Sequence, residues 1–317
     1  MSNKKVIVEV PHRISGFFEI VDEIDGKKIE DPEKIGSRGA GFCVSAVGKS
    51  EIIIELLEKN EGFLIEIYIN DQKFNQKAET TYYIIDYIKN YINDSLKVRI
   101  NHHFDLPMGC GYGASGSGAI GTIFGLNYLL TLNLSYKERG RIAHVAEVIN
   151  KTGLGTVCGQ LSRGLCMLKE PGYPCTYERI IVPEGIKIIC GSFGMIHTKS
   201  ILSDPLLNSK IKEAGRAALK KLISVPNMIS FVEASINFVK ETNILDHLSL
   251  DKTKELMENL NKLDIIGASM NQLGRSVYAI GYEKDVKKIL EVFESFKPDI
   301  KIFNLSINNN YPRFIKS

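Results

Sequence analysis

Tryptophan is absent from these 317 residues, cysteine is sparse, and neither sign of charge dominates. The six cysteines, at 43, 110, 158, 166, 175 and 190, include no C-x-x-C pair. Their spacing suits neither a zinc site nor a disulfide scaffold, so free structural thiols in a reducing compartment are expected. A net charge of +3 is too small to argue for nucleic acid, and no block of Lys and Arg stands out. The longest apolar stretch, around 119–132, is too short and too interrupted to span a bilayer. Residues 1–5 run straight into a strand pattern with no signal-peptide layout. A cytoplasmic soluble protein that binds neither membrane nor nucleic acid is the expectation, and a homodimer is compatible with it.

Glycine, by contrast, is concentrated in one stretch. Residues 106–121 read Leu-Pro-Met-Gly-Cys-Gly-Tyr-Gly-Ala-Ser-Gly-Ser-Gly-Ala-Ile-Gly, with glycines at 109, 111, 113, 116, 118 and 121. Glycines this dense let backbone N–H groups converge, and the helical pattern directly behind them adds free donors and positive dipole potential. An anion cradle, most simply for phosphate, follows. The stretch lacks the Lys-Ser/Thr ending of the common nucleoside-triphosphate loop. It contains G-x-G-x-x-G twice, but a dinucleotide fold wants that motif directly after a strand and an acidic residue about 20 positions on. Here a polar loop intervenes after 96–100, and Glu138 falls in a helical pattern. A purely structural glycine turn is the bland alternative.

Along the chain, alternating runs predict strands at 6–10, 41–47, 52–58, 63–69 and 96–100. Helices are predicted at 80–92, 115–130 and 135–151, the last opened by a Ser135/Glu138 capping box. Strands return at 164–168, 177–182 and 186–191. Helical patterns fill 208–263, with Pro226 marking a start, and the tail reads strand (276–281), helix (285–296), strand (300–306). Strands first, then helices with a small sheet, indicate α+β. The best break lies at 182–185, giving domains 1–183 and 184–317.

Pro107-x-x-x-Gly111-Tyr-Gly113-Ala-Ser115 resembles the phosphate loop of the GHMP kinases, P-x-x-x-G-L-G-S-S-A. Pro11-His-Arg13-Ile-Ser15 near the N-terminus is similar to that family's opening strand. Ile35-Gly-Ser-Arg38-Gly-Ala-Gly41, His144-Val-Ala-Glu147 through Gly155, and 264–279 are closer to one branch, the archaeal pantoate kinases. The resemblance implies an N-terminal catalytic domain of the ribosomal protein S5-like kind, a ferredoxin-like C-terminal domain, and an active site between them using ATP and Mg²⁺.

It also implies roles. Pro107, Gly109, Gly111, Tyr112, Gly113, Ala114, Ser115, Gly116 and Ser117 would form the nucleotide loop. Ser115 and Glu147 would hold Mg²⁺, since hard oxygen ligands suit that ion. Arg13, in place of the family's lysine, would meet the transferring phosphoryl group or an anionic substrate. Arg13, Ser15, Arg38, His144, Thr156, Thr198 and Lys199 would line the substrate site. Two positions depart from the branch: Thr156 stands where it has an aspartate, and Leu168 where it has an arginine. On those departures the expected reaction is phosphorylation of a branched hydroxy acid at its primary hydroxyl, with mevalonate 3-phosphate first and pantoate as the alternative. A non-catalytic nucleotide- or metabolite-binding relative is the reading from another class.

Overall fold

The computed structural model describes residues 4–59, 61–196, 201 and 204–315. Strand β1 (Lys4–Val21) and strand β2 (Gly36–Leu56) pair antiparallel almost end to end, Lys4 opposite Ile54 and Val21 opposite Gly36. The pattern predicted two strands where β2 is one. Lys49 and Glu51 interrupt its apolar alternation, yet they stay in register with Glu9 and Ile7, and Lys49 pairs with Glu9 across the ladder at 3.5 Å. A cross-strand charge pair there does what an apolar pair does elsewhere.

Strand β3 (Phe63–Ile69) lies parallel to β4 (Leu96–Phe104), which pairs antiparallel with β2. Helices α1 (Glu79–Lys89), α2 (Ala114–Leu130) and α3 (Tyr136–Ile149) cover this sheet, and Ser135 and Glu138 form the predicted capping box. A short helix absent from the sequence expectation, α4 (Thr156–Ser162), precedes β5 (Leu165–Leu168), which pairs with the front of β2, and β6 (Tyr177–Arg179) outside it.

Residues 180–185 carry neither helix nor strand. Beyond them come β7 (Ile186–Ser192), α5 (Pro205–Ser224), α6 (Met228–Thr242), α7 (Asp251–Leu260), β8 (Gly267–Met270), β9 (Ser276–Tyr282), α8 (Val286–Glu294) and β10 (Lys301–Leu305). Their sheet is antiparallel in the order β8-β9-β7-β10, the ferredoxin-like arrangement. The helix start expected at Pro226 falls instead at Met228, because the Asn227 side chain accepts from the Ser230 N–H and so caps the helix after the proline. The last strand, β11 (Arg313–Ile315), returns to pair with β1.

One apolar cluster fills the space between the first sheet and α1–α3. A larger one runs from the second half of β1 and the front of β2 through α5 and α6 into the second sheet, where Phe42 meets the rings of Phe231 and Tyr278 edge-on. The two sheets therefore share a core along β1. One expectation fails here: Cys158 on α4 and Cys175 in the loop before β6 form a disulfide, with Cα atoms 5.3 Å apart. The turn at 169–176 folds back onto α4, and a spacing of 17 residues gave no sign of it. The other four cysteines are free and buried.

Candidate active site

Gly109, Gly111 and Gly113 have φ of 69°, 85° and 68°, a region that only glycine enters cheaply. Gly113 is the N-cap of α2, and the first backbone bond into it comes from the Ser117 N–H at 3.0 Å. The amides of 114–116 thus face the loop's concave side as orphan donors at the positive end of a 17-residue helix.

The loop is clamped from three directions. From β1, His12 Nδ1 and the Arg13 N–H both donate to the Tyr112 carbonyl, at 2.9 and 3.1 Å. From α4, Gln160 Nε2 donates to the carbonyls of Pro11 and Gly113 and to Ser117 Oγ, at 2.9, 3.0 and 2.8 Å. From β9, Ser276 Oγ donates to the Cys110 carbonyl at 2.7 Å, and Gly274 packs so closely there that a Cβ would overlap that oxygen. A cradle held this way is preorganised.

Beside it lies a cavity of about 400 Å³. Towards β3 and α1 its wall is Ile69, Lys77–Thr81, His102 and Phe104; towards β1, β2 and β5 it is Ser15, Phe17, Phe18, Ser37 and Leu168, with Leu273. Gly111, Gly113, Ala114 and Ser115 form part of the same wall, with Thr152, Gly153 and Thr156.

Arg13 lines this cavity yet is only 3% exposed. It sits where β1 shifts register against β2, between Pro11 and Arg13, a bulge that re-aims the side chain. Its guanidinium packs against Gly159, where a Cβ would overlap it, and Nη1 donates to Cys166 Sγ at 3.3 Å. Among the described residues no carboxylate comes within 4.0 Å of it. Cys43 does not neutralise it either, because burial pushes that thiol up to about 12 in spite of the nearby arginine. A buried cation without a counter-charge is costly unless an anion arrives.

Glu147 is 1% exposed and lies directly behind Thr152, Gly153 and Thr156. Its Oε1 accepts from Thr152 Oγ1 at 3.0 Å, while Oε2 has no hydrogen-bond partner among the described residues. Burial raises its pKa; the hydroxyls of Ser115, Thr152 and Thr156 oppose that rise. Ser115 and Thr156 act there as nearby dipoles, without the geometry of a bond to Oε2. A Cβ at Gly153 would overlap Oε2, so any side chain there would have to displace the carboxylate. An orphaned carboxylate oxygen among hydroxyls, next to a phosphate-type cradle, suits a hard divalent cation.

The other predicted residues divide. Ser15, Gly109, Gly111, Tyr112, Gly113, Ala114, Ser115 and Thr156 line the cavity with Arg13; Pro107, Gly116 and Ser117 do not. Arg38 is not on the wall: its Nη2 donates to the buried Glu19 at 2.9 Å, which also takes Arg216. His144 is not either. Its Nε2 donates to the Ile35 carbonyl at 2.9 Å, and burial lowers its pKa, so it is a neutral packing residue. Lys169, the neighbour of Leu168, pairs with Glu178 at 3.2 Å on the exterior. Thr198 and Lys199 lie outside the described residues. Sequence reasoning missed Gln160, Thr80 and Thr152. The first is one of many polar residues of the chain, Thr152 lies in the resembling segment 144–155 but the resemblance implies no role for it, and Thr80 carries no motif.

Residues 79–161 match the family model described as the GHMP kinases N terminal domain. The chain is 31% identical over 286 residues to a pantoate kinase of Methanocaldococcus jannaschii, covering 90% of this chain and 96% of that one. It is 29% identical over 285 residues to a pantoate kinase of Thermococcus kodakarensis, covering 88% of each. A solved structure described as a phosphotransferase related to the CoA biosynthesis pathway superposes with a TM-score of 0.84, at 25% identity over 98% of both chains.

Proposed function

The chain belongs to the GHMP kinases, on the pantoate kinase-like branch, and is an ATP-dependent phosphotransferase with an alcohol acceptor; from that premise we propose that the acceptor is the primary hydroxyl of a small branched hydroxy acid, pantoate first. The observation that carries an acid is Arg13, a buried arginine of the cavity lining with no carboxylate within 4.0 Å of it among the described residues. The apolar residues around that end, Phe17, Phe18, Leu168 and Leu273, suit a branched carbon skeleton. Pantoate is supported by the near full-length likeness to two pantoate kinases.

The amides at the start of α2 hold phosphate oxygens, and the helix dipole adds to their pull. Glu147 and Ser115 are the residues that would hold Mg²⁺, which fits the orphaned Oε2; bound there, the ion would neutralise charge on the phosphates. Arg13 fixes the acid or the transferring group by charge-assisted hydrogen bonds. Thr156 cannot act as a carboxylate base. A loose phosphoryl transition state asks mainly for positioning and charge neutralisation, so the reaction proceeds without one.

Mevalonate 3-phosphate is the second reading, and a specific observation favours it. Thr156 and Leu168 both line the cavity and both depart from the branch pattern, and Leu168 Cδ1 comes against Gly155, the residue before Thr156. Replacing an aspartate by threonine removes a negative charge that would repel a phosphorylated acid. The test is ADP release with Mg-ATP and each acid in parallel. Turnover on pantoate establishes the first reading. Turnover on mevalonate 3-phosphate alone replaces it with the second, and silence on both with ATP still bound overturns the acid assignment.

A further inference from the structure

Glu147 has two oxygens, and only one of them is engaged. Thr152 Oγ1 lies 3.0 Å from Glu147 Oε1 and 3.0 Å from Thr80 Oγ1. The direction of this chain of hydroxyls is fixed by elementary chemistry. An ionised carboxylate and a carbonyl both only accept, so Thr152 spends its single proton on Glu147, on Oε1 at 3.0 Å in preference to the backbone carbonyl at 3.4 Å. Thr152 then has only lone pairs to offer Thr80, so Thr80 donates to it. The Thr152 N–H also donates to the Glu147 carbonyl at 3.0 Å, which pins the threonine against the end of α3.

We propose that Thr80 and Thr152 are positioning residues: their hydroxyls form a one-way relay that fills Glu147 Oε1 and leaves Oε2 as the oxygen offered to a divalent cation. The proposal rests on the reading of Glu147 as a metal ligand and deepens it. Thr80 stands on α1, in the cavity wall opposite the acid end, and Thr152 follows α3. The relay therefore ties the orientation of the carboxylate to the wall formed by α1. A glutamate with both oxygens free would spread its charge over two rotamers, and holding one oxygen cuts that freedom. Partners of this kind, behind a metal ligand, commonly change metal affinity by about 10–100-fold.

The test measures Mn²⁺ binding by electron paramagnetic resonance with a non-hydrolysable ATP analogue, on the full chain, beside the free Mg²⁺ needed for half-maximal turnover. Thr152→Val is expected to weaken Mn²⁺ binding by about 10-fold or more, with the KM for the hydroxy acid unchanged. Thr152→Ser, which keeps the hydroxyl, is expected to restore it, and Thr80→Val to give a smaller loss in the same direction. Should Thr152→Val fail to fold, Thr80→Val and Thr152→Ser carry the comparison. Glu147→Gln is the control. If it loses Mn²⁺ while both valine variants bind as wild type does, the relay is wrong and the metal site stands. If Glu147→Gln binds Mn²⁺ normally, the metal assignment falls and the relay falls with it.

Discussion

Arg13 and Gly159 share one space: the guanidinium lies where any β-carbon at 159 would have to go. The helix α4 that carries Gly159 also carries Gln160, whose amide holds the glycine loop. A single turn of helix thus positions both the cation and the glycine cradle.

Gly159→Ala is expected to push the guanidinium out of place. The kcat/KM for the acid should fall on the order of 100-fold while ATP binding changes little. Arg13→Met should lose as much, and Arg13→Lys should recover only part, because a point charge cannot reproduce the planar fork. Steady-state kinetics with ATP and acid varied separately would show it. An unchanged acid KM and kcat in Arg13→Met would remove Arg13 from the site.

At the other end of the cradle, Gly153→Ala puts a carbon onto Glu147 Oε2. Turnover should drop on the order of 100-fold, as when one preorganised charged contact is lost. Ser115→Ala should be slower too, with the fold intact by circular dichroism. Near-wild-type rates in both variants would contradict the assignment of this corner to the phosphates and metal.

The Cys158–Cys175 bond closes a loop of 17 residues beside the active helix. Its removal should lower the unfolding free energy by about 3 kcal/mol. Urea denaturation of the Cys158→Ser, Cys175→Ser double variant against the oxidised protein measures it, and equal midpoints with equal slopes would show that the bond adds nothing.

Burial lowers the pKa of His12 and of His102 to about 4. In the unfolded chain both return to about 6.5. Between those values the unfolded chain binds protons that the folded chain refuses, so stability falls as pH falls through this window. From pH 7.5 to 5 the loss should be about 2 kcal/mol for each histidine. His102→Gln should flatten the slope of unfolding free energy against pH, leaving the part due to His12 and to His144, which burial also lowers, and an unchanged slope would mean that His102 takes up its proton in the native state as readily as in the unfolded chain.

The cradle was legible because its glycines are dense, and because dihedral need and anion binding ask for the same residue. Glu147 and Arg13 were legible only through their place in a resembling pattern, since a lone carboxylate beside an apolar stripe is ordinarily solvated. Arg38 and His144 shared that pattern but not the cavity. Their fates were set by Glu19 and by the Ile35 carbonyl, partners more than a dozen residues away. Helix α4 was missed because seven residues are too few for a 3.6-residue period to show. The disulfide was missed because a pairing of two cysteines depends on a turn between them that leaves no periodic trace.

Ser276 donates to the carbonyl of Cys110 across 166 positions of sequence. On a ribosome, the glycine loop is made long before the strand that fastens it. A growing chain of some two hundred residues already has the glycines, Ser115 and Glu147, but it lacks the clamp from β9. The cradle's clamps from β1 and α4 are thus in hand early, and its third clamp is added only once the ferredoxin-like half has been synthesised and docked.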